Sequence, residues 1–85
     1  MSMIQQLIAA VTNAEHQIDD QTMKLQSYVA EIDKTTTRVN NALGGSSQAY
    51  ATRMILQLSQ TKKEVEETIN RLQAAKEKLQ RVRMI

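Results

Sequence analysis

Aliphatic residues recur every seven positions through the first half of the chain without a slip: Ile4, Val11, Ile18, Leu25, Ile32 and Val39. Three residues after each come Leu7, Ala14, Gln21, Tyr28, Thr35 and Ala42. A seven-residue repeat of this kind keeps one side of an α-helix apolar and makes the seam of a coiled coil, with the two columns as its two seam positions. The second column is the weaker, because Gln21 and Thr35 are polar. Such residues fix register or leave room for a neighbouring side chain. The second half repeats as well, with Ala51, Leu58, Val65, Leu72 and Leu79 seven apart. Ile55 and Ile69 widen that stripe on one side, and Met54, Ala75 and Val82 on the other. A stripe so wide faces more than one partner helix. On the opposite surface the spacing predicts ion pairs from Lys62 to Glu66, Lys63 to Glu67, Glu67 to Arg71 and Glu77 to Arg81.

Between the two repeats lies the only strong punctuation, Asn40-Asn41-Ala42-Leu43-Gly44-Gly45-Ser46-Ser47. Asparagine and glycine tolerate the left-handed backbone that ends helices, and serine accepts from the free N–H groups of a new first turn. The expected architecture is therefore all-α: an antiparallel two-helix hairpin that assembles into a four-helix bundle. It forms a single domain over 1–85, with helix 1 over about 3–42, a turn at 43–46 and helix 2 over about 47–83. Leu43, Gly44 and Gly45 make the bend. The packing residues are Ile4, Val11, Ile18, Leu25, Ile32 and Val39, with Ile55, Leu58, Val65, Ile69, Leu72 and Leu79. Assembly is expected because one hairpin seam leaves the wide second stripe partly wet. Charge agrees: the first half is net acidic and the second net basic, so the halves attract within and between hairpins.

Composition narrows the function. At 85 residues with no cysteine, proline, phenylalanine or tryptophan, the chain lacks disulfides, thiolate metal sites and the residues that sheet proteins need. No metal site or cofactor is expected: His16 is the one histidine and faces solvent with Asp20. With Glu15 and Asp19 these make a solvated acidic turn without the Glu-x-x-His spacing of a bundle metal centre. No catalytic residues are expected either. The one imidazole has no pocket, and the Thr35-Thr36-Thr37 run reads as a polar stretch late in helix 1. Gly44-Gly45-Ser46-Ser47 opens a helix but lacks the lysine and the strand of a phosphate loop. A nucleic-acid role is disfavoured because Lys62, Lys63, Lys76, Lys78, Arg81 and Arg83 are interleaved with acids and Tyr50 is the only aromatic of the second half. A formal charge of +2 does not name a polyanion. A membrane span is disfavoured because the longest apolar run, Leu7 to Val11, is far too short. The residues before Leu7 have no basic region, so no cleaved signal peptide is expected.

Small size, two helices of nearly equal length and a central apolar-x-Gly, here Leu43-Gly44-Gly45, resemble the WXG-type helical hairpins of type VII secretion. Leucine stands where that family carries tryptophan. The family's Tyr-x-x-x-Asp/Glu export signal has no counterpart, since neither Tyr28 nor Tyr50 has an acid four residues on. In both respects the chain is similar to the small helical helpers of LXG-domain toxins, some of which rely on a partner for that signal. The resemblance implies a non-enzymatic type VII secretion substrate or helper. Its partner is itself, a paralogue or an LXG-domain toxin, with no small-molecule substrate. It is cytoplasmic before export and leaves by a signal-peptide-independent route. Two other readings stay open: an intracellular coiled-coil adaptor or a component or chaperone of another export system, and a nucleic-acid-associated bundle.

Overall fold

The structure, a computed structural model, describes residues 2–42 and 49–84. Both repeats are helices, α1 over Met3–Ala42 and α2 over Ala49–Arg83, and among the described residues there is no strand. They lie side by side in a rod whose Cα atoms extend 66 × 15 × 13 Å. The expected bend residues Leu43, Gly44 and Gly45, and Ser47 at the expected start of helix 2, lie outside the described residues.

Local chemistry accounts for the helix limits. Ser2 caps α1: the Gln5 N–H donates to Ser2 Oγ at 3.1 Å, and the Ser2 N–H donates to Gln5 Oε1 at 3.2 Å. This reciprocal capping box satisfies two donors that a helix start leaves free. The threonine run does not end α1. Thr36 and Thr37 stay helical, their hydroxyls donating to the carbonyls of Ile32 and Asp33, four residues back. At the far end of α2, Arg81 and Arg83 place positive charge in the last turn, where the helix dipole favours it.

The register between the helices is constant. Asp19 contacts Lys76, Thr22 contacts Gln73, and Asp33 contacts Lys62. Each step forward on α1 matches an equal step back on α2, so the helices are antiparallel. The same register sets Val11 level with Met84, the last described residue of α2. Ile4 is 70% exposed, because the first turns of α1 have no described α2 residue directly across from them.

The seam of α1 is also not the predicted one. The column Val11, Ile18, Leu25, Ile32 and Val39 is in it, buried at Val11 and Ile32 and half-buried at the others. Its companion, however, is Glu15, Thr22, Val29 and Thr36, all buried or half-buried, while Gln21, Tyr28 and Thr35 are exposed. On α2 the seam pairs Ala51, Leu58, Val65, Leu72 and Leu79 with Ile55, Lys62, Ile69 and Lys76, again all buried or half-buried. Ile55 and Ile69 thus face α1. Charge accompanies the choice: with each helix turned toward its more polar flank, Lys62 and Lys76 meet Asp33 and Asp19 of α1.

The hairpin alone makes a thin core. Val11, Ile32 and Ala51 are its buried apolar residues among those described, and no side chain is completely enclosed. The accessible surface is 6612 Å², against about 5,100 Å² expected for a compact protein of this mass. The excess follows from the rod shape, which leaves each helix wetted on most of its circumference.

Candidate interaction face

Around its long axis the hairpin has two unlike sides. One is a polar edge. It carries the Glu15–Thr22–Val29–Thr36 column of α1 with its outer neighbours Asp19, Gln26 and Asp33, and the Ile55–Lys62–Ile69–Lys76 column of α2 with Glu66 and Gln73. Every side-chain polar contact between the helices, among the described residues, falls on this edge. Lys76 Nζ donates to Asp19 Oδ1 at 2.6 Å, Lys62 Nζ lies 2.9 Å from Asp33 Oδ1, and Gln73 Nε2 donates to Thr22 Oγ1 at 3.1 Å. Arg83 Nε lies 3.5 Å from Glu15 Oε1. Each ion pair takes its acid from α1 and its base from α2, which is how the charge asymmetry of the two halves is used. The Asp33 carboxylate, by hydrogen bond and then by charge, holds the Lys62 ammonium above its ordinary value.

These contacts revise two sequence readings. The acidic turn near His16 is not uniformly solvated: His16 and Asp20 are exposed, but Glu15 is buried and Asp19 is tied to Lys76. None of the four expected ion pairs along α2 closes, and Lys62 is drawn across to Asp33 instead of along the helix to Glu66. What the sequence reading missed was Glu15, Thr22, Asp19 and Asp33 as seam residues. Part of their signal was available, since Asp19, Thr22 and Asp33 match Lys76, Gln73 and Lys62 at one antiparallel register.

The other side is an apolar face. Its inner columns are Val11, Ile18, Leu25, Ile32 and Val39 from α1 and Ala51, Leu58, Val65, Leu72 and Leu79 from α2. Its outer columns are Leu7, Ala14, Gln21, Tyr28, Thr35 and Ala42 from α1 and Met54, Thr61, Thr68, Ala75 and Val82 from α2. None of these residues is charged. In a two-stranded coiled coil the columns beside the seam carry charge, because they meet water. Here one pair of flanking columns does so and the other does not. The apolar face is nevertheless open, with Tyr28 51% and Val82 43% exposed. An open hollow toward the Ala42 end of α1 marks it, lined by Thr35, Val39, Met54, Gln57 and Leu58. A second hollow, of about 340 Å³ toward the Met3 end of α1, straddles both sides, with Ile4, Leu7 and Val82 from the apolar face and Ile8 and Arg83 from the columns of the polar edge. Side chains of another helix fit grooves of this kind.

Among the described residues no group of three or more histidine, cysteine or acidic side chains is placed to hold a metal ion. No described helix is long and apolar enough to cross a membrane. Comparison of the chain with protein-family models, with curated proteins and with solved structures gave no match.

Proposed function

We propose that this chain is a non-enzymatic interaction protein whose working part is the apolar face, offered to another helical protein. The observation that carries this is the asymmetry between the two sides. Ion pairs and hydrogen bonds zip one edge, while the other presents uncharged columns along the whole rod. Exposed apolar surface of this extent on a small protein marks an interaction site. A helical partner can bury it by ridge-into-groove contact.

The setting proposed for that partnership is type VII secretion, as substrate or helper. Its support is the hairpin shape with the central Leu43-Gly44-Gly45 sequence. The partner in that reading is another such hairpin or the N-terminal helical region of an LXG-domain toxin. The pair assembles in the cytoplasm and leaves together by a route without a signal peptide. Burial of the face at about 25 cal/mol per Å², less the costs of association, supplies the affinity.

The test is affinity capture from the native cell with the wild type and with Ala75→Asp and Tyr28→Asp. Both positions are exposed outer-column sites, so these charges leave the hairpin folded. The expected result is a small helical protein, or the helical region of a toxin encoded nearby, captured by the wild type and lost in both variants. Capture of DNA or RNA instead, released by moderate salt, contradicts the reading.

A further inference from the structure

We draw no further inference here: the strongest candidate, the open apolar hollow toward the Met3 end of α1 lined by Ile4, Leu7, Ile8, Val82 and Met84, carries none, because nothing in the structure shows what covers it and its charged side chain, Arg83, already lies against Glu15.

Discussion

The Glu15 carboxylate is 8% exposed and lies 3.5 Å from Arg83 Nε, yet its Oε1 accepts no hydrogen bond from any residue. The two facts fit together: the guanidinium is near enough to attract the oxygen but not aimed at it. A buried carboxylate with so poor a partner contributes little stability, and an apolar side chain of similar volume often does better. Glu15→Leu is therefore expected to raise stability by about 1 kcal/mol, or about 4–8 °C in a thermal melt for a domain of this size. Arg83→Ala should lower it, because the carboxylate stays buried with nothing across from it. A melt in which Glu15→Leu falls below the wild type would show that the pair is a real strut.

The Asp33–Lys62 pair predicts a pH dependence. The folded state raises the Lys62 value above 10.5. The pair's contribution is then fully present below 10.5 and disappears as the pH climbs through the higher folded value. Melts of the wild type and Lys62→Met should differ by a constant amount from about pH 7 to about pH 9. Above 10.5 the two should converge. Convergence within the neutral range would mean that Asp33 does not hold the ammonium.

Seam residues should separate sharply from the exposed turn of α1. Ile32→Asp puts a carboxylate among Leu58, Val65 and their neighbours and should cost several kcal/mol, about 3 or more, which is enough to unfold the hairpin. His16→Ala, on the exposed side, should change the melt by less than about 0.5 kcal/mol. Equal melts for the two variants would refute the seam.

The helix cap allows a finer check. Ser2→Ala removes the acceptor of the Gln5 N–H and should loosen the first turns of α1, costing about 0.5–1 kcal/mol locally. Amide exchange should quicken over residues 5–8 and remain unchanged beyond Leu25. Spread of the effect along the whole helix would argue against a local capping box.

Much of this fold was legible in the repeat. Ile18, Leu25, Ile32 and Val39 announced α1, and Leu58, Val65 and Leu72 announced α2, because a seven-residue aliphatic period has few other uses. The companion column was harder to read. On hydrophobicity alone Leu7, Ala14 and Tyr28 outrank Glu15, Thr22 and Thr36, so the apolar flank looks like the seam. Only when both helices are set at one register does the polar flank stand out, since it joins Asp19 to Lys76 and Asp33 to Lys62. Pairing between distant segments is invisible to a pattern read within one segment. Ile4 belongs to the same column, but the register sets no described α2 residue level with it, and it is exposed in the hairpin. The candidate face emerged as the remainder, the apolar columns left over once the seam is set.

In the proposed function the apolar face is covered when the protein works and the polar edge is not. Thiol alkylation in living native cells measures this directly, comparing Thr68→Cys on the face with Ser59→Cys on the polar edge. Both positions are exposed in the hairpin, so in the purified, dilute, dissociated chain both should react at similar rates. In the cell, Thr68→Cys should be alkylated at least about tenfold more slowly than Ser59→Cys, because a covering helix excludes the reagent. Equal rates in the cell would contradict the account.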